Sequence, residues 1–233
     1  MSTSQTSRGF ITIHGADSQH FLQNLVTNDM NLLASRPYLH ACLLTPQGKF
    51  LHDFFITREN DIYTLNCEAA TRAHDLFTKL NLYKLRSNIT ITHHDDCLSY
   101  LTSYGYSFDD DHNALNTHDW EITRLSQARA DGSRDAEIST STLSELNLES
   151  RAVSFDKGCY IGQELTARVH HRGLTKKRLY AVELTNTPPA FGAELPHKIG
   201  IMRSSYQHYG LALIKDEIAV TLPSSDLGFL QIP

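Results

Sequence analysis

Asp156-Lys157-Gly158-Cys159-Tyr160-Ile161-Gly162-Gln163-Glu164 is the stretch on which the reading of this chain turns. A thiol stands between a glycine and an aromatic, and Leu165-Thr166-Ala167-Arg168 continues in a helix-forming composition. With 161–169 read as a helix, Cys159 falls at its N-terminal end, where unpaired amides and the helix dipole favour a negative charge. Lys157 acts in the same sense. Gly158 and Gly162 allow a flat ligand to approach the backbone, and Tyr160 offers a face for stacking. On these residues alone a packing alternative stays open, in which two glycines make a turn while Cys159 and Tyr160 fill a core gap.

Ahead of this stretch the apolar pattern alternates between strand and helix periods. Phe10-Ile11-Thr12-Ile13 reads as a strand, and Asp17 stands at an N-cap position before Phe21, Leu22, Leu25 and Val26 at helical spacing. In 41–56 two apolar runs flank Thr45-Pro46-Gln47-Gly48, a good type I turn, so a hairpin is expected. Residues 61–65 read as a strand, followed by a helix whose buried face carries Ala69, Ala73, Leu76, Phe77 and Leu80. Strands are expected at 89–92 and 120–125, a mobile acidic loop at 109–116, and an extended ordered loop over 130–150. After Gly173, short apolar runs at 178–184, 199–204, 211–215 and 218–222 suggest a small all-β unit. The expected class is therefore α+β, with 1–172 as one region and 173–233 as a second.

The 233 residues can bury one substantial core, and a net charge of −5 argues against wholesale coating of nucleic acid. No run reaches the roughly 18 apolar residues of a membrane span, and the polar start, 1–8, resembles neither a secretory nor a transit leader. A cytoplasmic, monomeric protein with no membrane contact is expected. The four cysteines include no Cys-x-x-Cys pair, so neither a zinc knuckle nor a complete cluster-binding set is present. His93-His94 on a strand would point to opposite faces, and a surface role is favoured over a metal site for this pair and for His170-His171.

The string Lys157 to Glu164 matches at every position the Lys-Gly-Cys-Tyr/Phe-x-Gly-Gln-Glu signature of the YgfZ family of folate-binding, glycine cleavage T-protein-like proteins. The resemblance covers nearly the whole chain. Arg8-Gly9, Gly15, Asp17, Phe21-Leu22-Gln23, Thr27 and Asp29 resemble the family's opening, and Gln47-Gly48-Lys49 with Leu51, Asp53 and Phe54 its hairpin. Leu82-Tyr83-Lys84-Leu85-Arg86 is similar to the element that closes its first large helix. Gly132-Ser133-Arg134-Asp135, Glu164-Leu165-Thr166-Ala167-Arg168 and Arg172-Gly173 resemble the alphaproteobacterial and mitochondrial branch, associated with iron–sulfur maturation.

The resemblance implies folate-binding lobes around a central hole, a small C-terminal β-barrel, and tetrahydrofolate or a derivative as cofactor. It implies Cys159 as the reactive residue and Lys157, Gly158, Tyr160, Gly162, Gln163, Glu164 and Arg124 around the folate. Where the family continues after Arg124 with an acidic residue, this chain has Ser126, so Asp53 and Glu68 become the candidates for the carboxylate that would bind the pterin. The implied function is folate-dependent iron–sulfur cluster assembly or repair with assembly proteins or client enzymes as partners, affecting tRNA modification through such enzymes. Two alternatives stand beside it. One is a tetrahydrofolate-dependent aminomethyltransferase; the other is a tRNA- or protein-binding adaptor using the run Arg168, Arg172, Lys176, Lys177 and Arg178, which no carboxylate interrupts along the chain.

Overall fold

The computed structural model describes residues 8–67, 70–97, 100–102, 105–107, 117–226 and 228–232. Strand β1 (Arg8–His14) leads into helix α1 (Ser18–Leu25), and the hairpin of β2 (Leu39–Leu44) and β3 (Phe50–Glu59) is followed by β4 (Ile62–Cys67), helix α2 (Ala70–Lys84) and β5 (Thr90–Cys97). These strands form one antiparallel sheet in the order β2-β3-β4-β1-β5.

Because strand side chains alternate, the sheet has two unlike faces. Ile11, Ile13, Ala41, Leu43, Phe54, Ile56 and Leu65 make one, packed with Leu22 and Leu25 of α1 and Leu76 and Leu80 of α2 in a single core. The register pairs Cys42 with Asp53, His40 with Phe55, and Asn66 with both Phe55 and Phe10, so these residues share the opposite face, which is unusually polar for its burial. At one end of that face Cys42, Leu44 and Phe50 enter a second core with Leu125, Tyr160, Leu179, Leu211 and Phe229, joining the first sheet to the last part of the chain.

That last part is reached through a short pair, β6 (Tyr100–Thr102) and β7 (Gly105–Ser107), helix α3 (Thr117–Ser126), the one-turn α4 (Glu149–Ala152) and α5 (Gln163–Arg172). Strands β8 (Lys177–Leu184), β9 (Gly200–Tyr206), β10 (Tyr209–Lys215) and β11 (Leu230–Ile232), with helix α6 (Asp216–Ala219) after β10, complete it. The order β11-β8-β10-β9 leaves an open four-stranded sheet, and no closed barrel forms among the described residues.

Three local expectations change. Residues 120–125 are helical, because Trp120, Arg124 and Leu125 follow a helical period that turns all three inward. Residues 218–222 belong to α6 and its exit turn, with Ala219 buried and Val220 exposed, which removes the strand that barrel closure would have used. Asp17 does not cap α1 with its side chain; its carboxylate accepts the Asn88 amide at 2.7 Å instead. The 109–116 loop lies outside the described residues.

Candidate functional site

Residues 26–28, just past α1, hold the signature stretch against the first sheet. The Thr27 hydroxyl donates to the Ala152 carbonyl at 2.5 Å and accepts the Cys42 amide at 2.8 Å, while the Thr27 carbonyl accepts the Ser154 amide at 3.1 Å. The Asn28 side-chain amide donates to the carbonyls of His40 and Arg151. Lys157 is buried, and its Nζ donates to the carbonyls of Val26 at 2.7 Å and Asn28 at 2.8 Å. A cation at the C-terminal end of α1 suits that helix's dipole. Burial pulls the ammonium down to about 8, against an opposing pull from Asp29.

Among the expected folate contacts of this stretch, several have other work. The Lys157 ammonium lies 5.2 Å from the centre of the Tyr160 ring, and that ring is buried in the second core. Burial raises the phenol to about 12. Tyr160 is thus a packing residue here, not an open stacking platform. Gly162 has φ 81° and packs against the hairpin tip; a Cβ there would meet Thr45 O at 2.6 Å and Gly48 Cα at 2.9 Å. Gly158 and Cys159 are exposed, and so is Glu164, while Gln163 is half-buried. Helix α5 begins at Gln163 with Gly162 as N-cap, later than expected, so Cys159 stands three residues ahead of the cap. Dipole effects fade within a turn, so the N-terminus of α5 acts only weakly at this position.

The polar sheet face supplies a different cluster. Asp53 is buried, and one carboxylate oxygen is bonded to His40 Nε2 at 3.0 Å while the other, Oδ1, has no hydrogen-bond partner among the described residues. His40 stacks on Phe55 with ring centres 4.6 Å apart. Burial holds its imidazole below the ordinary value, with Arg151 and Arg129 reinforcing the shift and Asp53 opposing it. Arg151, the first residue to follow Ser150 in α4, also comes to this cluster. Burial is the largest cause drawing its guanidinium down to about 10, Arg129 adds to the shift, Asp53 counters it, and Nη2 has no partner among the described residues. An acceptor without a donor and a donor without an acceptor in one buried cluster each carry a desolvation cost of about 1–3 kcal/mol, which a ligand with both kinds of group would relieve. Sequence reasoning named Asp53 and missed His40 and Arg151. The alternation of His40 with Cys42 on β2 was the available signal for the first; nothing local marked Arg151.

Arg124 is not part of this wall. It is 1% exposed and spends all five N–H groups: Nε and Nη2 on Glu121, Nη1 on Asp135 and the Arg129 carbonyl, and Nη2 again on Ser204 Oγ. Within the fold its guanidinium thus has a structural role, tying α3 to the 129–135 segment and β9. Asp135 receives the Ser204 amide as well, so the Gly132–Arg134 turn and its neighbour tie α3 to β9. Ser126 closes on its own helix by donating to the Thr123 carbonyl, and Glu68 lies outside the described residues. The uninterrupted basic run is interrupted in space: Arg178 pairs with Asp216, Lys177 with Glu145, and His170 with Glu149. Arg168, Arg172 and Lys176 stay exposed. His93 and His94 do point to opposite faces, His94 bonding Thr12 and His93 lying beside His74. His170-His171 sits on a helix, not a strand. No group of three or more metal-ligating side chains occurs among the described residues, nor does a helix long and apolar enough to cross a membrane.

With this geometry in view, the chain's relatives can be placed. No family model matches the chain. It is 29% identical over 257 residues to the mitochondrial iron–sulfur cluster assembly factor IBA57 homologue of Mycosarcoma maydis, covering 84% of this chain and 63% of that protein. The mitochondrial iron–sulfur cluster assembly factor IBA57 of Mus musculus is 28% identical over 274 residues, covering 90% of this chain and 76% of that one. In structure, the glycine cleavage system aminomethyltransferase T of Bartonella henselae superposes with a TM-score of 0.70 at 12% identity, over 91% of this chain and 77% of that one. The chain is similar in sequence to these iron–sulfur assembly factors and has the glycine-cleavage-T-like fold. At 12% identity the enzyme likeness speaks for the fold alone. The chain spans less than two thirds of the Mycosarcoma maydis relative's length and about three quarters of the mouse one's.

Proposed function

We propose that this chain is a folate-binding iron–sulfur cluster assembly factor that works with assembly proteins or client enzymes. The observation that carries the folate half is the orphaned Asp53 Oδ1 beside His40 and Arg151. The edge of a 2-amino-4-oxopterin presents N–H donors next to a carbonyl acceptor. Asp53 would take the donors, Arg151 would donate to the carbonyl or to the folate's own carboxylates, and Phe55 and His40 form the aromatic part of the same face. Tetrahydrofolate so held would supply a one-carbon carrier or a bound structural element; the chain's own residues orient it and exclude water. Asp53 thereby replaces the carboxylate that Ser126 lacks.

The iron–sulfur half draws on the assembly-factor relatives together with the exposed Cys159. One thiolate cannot hold a cluster that needs four ligands, so Cys159 would act transiently with ligands from a partner. A cytoplasmic setting is kept in this reading, beside relatives whose names place them in mitochondria, and any effect on tRNA modification would be indirect.

Anaerobic calorimetric titration with tetrahydrofolate tests the site. Saturable binding is expected for the native chain, with at least a tenfold loss in Asp53→Asn. Failure of the native chain to bind, or equal binding by Asp53→Asn, overturns it. Cys159→Ser, an exposed substitution, is expected to bind folate normally and to fail in restoring iron–sulfur enzyme activity to cells lacking the endogenous factor; full restoration removes Cys159 from the function.

A further inference from the structure

A second polar site lies away from the Asp53 wall, between the C-terminal end of α5 and the start of β8. It is a cleft of about 280 Å³ whose wall includes Ser144, Glu149, Ser150, His170, Thr175 and Arg178. That volume is at or below the lower limit for a drug-sized ligand and is too small to be a folate site.

The groups in this wall are already oriented. The Glu149 carboxylate accepts from the Ser144 hydroxyl through one oxygen and is bonded by His170 Nδ1 at 3.1 Å through the other. The His170 ring is stacked on Phe155, with centres 3.7 Å apart and planes at 17°. Its Nδ1 is thus occupied, leaving Nε2, which is an acceptor when Nδ1 carries the ring's proton. Arg178 meets Asp216 through Nε and Nη2, which leaves the N–H groups of Nη1. Ser150 and Thr175 add hydroxyls. Both Glu149 oxygens are engaged, so the cleft offers donors and not a carboxylate cage, which selects an anion over a metal ion. The Arg178 guanidinium and the Ser150 and Thr175 hydroxyls can donate to phosphate oxygens while a phosphate P–OH donates to His170 Nε2, a pairing that a fully ionised carboxylate cannot make, and the exposed Arg172 and Lys176 lie close in sequence to this wall.

We propose that this cleft binds the phosphate of a small phosphorylated molecule. The site is independent of the folate reading.

The ring signals of His170 in the full chain would be followed by NMR during titration with inorganic phosphate and, separately, with glycerol phosphate, at ionic strength held constant with chloride. A saturable shift is expected with both probes, weakened about tenfold, or about 1.4 kcal/mol, in Arg178→Gln. Since loss of the Arg178 pair with Asp216 could loosen the fold, Thr175→Val is the second variant, expected to weaken binding a few-fold with its unfolding midpoint unchanged. Tetrahydrofolate should leave His170 unmoved. The proposal is overturned by a shift that does not saturate, by equal shifts in both variants, or by a response confined to an RNA oligonucleotide.

Discussion

Replacing Arg124 by methionine removes a guanidinium while roughly keeping the side chain's length and apolar stem. In the native chain this group faces Glu121 at 2.9 Å and Asp135 at 2.7 Å, both carboxylates being nearly or wholly buried. Arg134 still reaches Glu121 at 2.7 Å, but Asp135 would keep only the Asp131 and Ser204 donors. Stripping one partner from a buried charge network costs about 3–5 kcal/mol, because the remaining charge stays out of water without its counter-ion. Total stability for a domain is about 5–15 kcal/mol, so this is a large share of it. For a chain of this size each kcal/mol moves the midpoint by about 2–4 °C, giving a fall of roughly 6–20 °C. Urea denaturation followed by far-UV circular dichroism measures it, with tetrahydrofolate titration of the folded variant alongside. If Arg124→Met loses less than about 1 kcal/mol and also loses folate affinity, Arg124 touches ligand and the structural assignment is refuted.

Other outcomes follow from the same geometry. Burial is the chief cause holding His52 near 4, below the 6.5 of the unfolded chain. The unfolded chain therefore takes up the proton first, and stability from this group, up to about 3 kcal/mol, is lost as pH falls from 6.5 toward 4. A pH series of denaturant midpoints should show this slope and His52→Gln should flatten it; an unchanged slope would assign the acid sensitivity elsewhere. Lys157 runs in the same direction over a higher window. With the folded amine near 8 and the unfolded one at 10.5, its contribution grows as pH rises between these values, and Lys157→Met should remove that rise. Gly162→Ala forces a left-handed residue and a 2.6 Å contact on the hairpin tip, and should cost about 2 kcal/mol or more, whereas Gly158→Ala, with nothing within 4 Å of its added carbon, should cost under about 1 kcal/mol. Equal losses at the two glycines would contradict the packing described.

The first half of the fold could be read along the chain because its elements obey local rules. Strand alternation at 10–13, the Thr45-Pro46-Gln47-Gly48 turn and the helical spacing of Ala73, Leu76 and Leu80 each put apolar groups on one face, and that face is the core. The segment after Lys84 was harder. The run 120–125 is short and mixed, and its helical period becomes decisive only because Arg124 and Leu125 both turn inward to different partners. At 218–222 an apolar run looked like a strand, but Asp216 is drawn to Arg178 and Tyr180, which fixes the start of a helical turn.

By itself the sequence determined the α+β class, the hairpin and the chain's kinship, since glycines and a short signature act through local backbone geometry and carry their meaning with them, whereas the exposure of Cys159 and the burial of Tyr160 came from the tertiary structure. Tertiary structure decided which charged residues could meet a ligand. Arg124 looked available on the chain and is consumed by Glu121, Asp135 and Ser204, while Arg151, unremarkable in sequence, arrives at Asp53 from 98 positions away. The physical reason is that a charge's role depends on what neutralises it and what water is left around it, and both are set by residues distant along the chain.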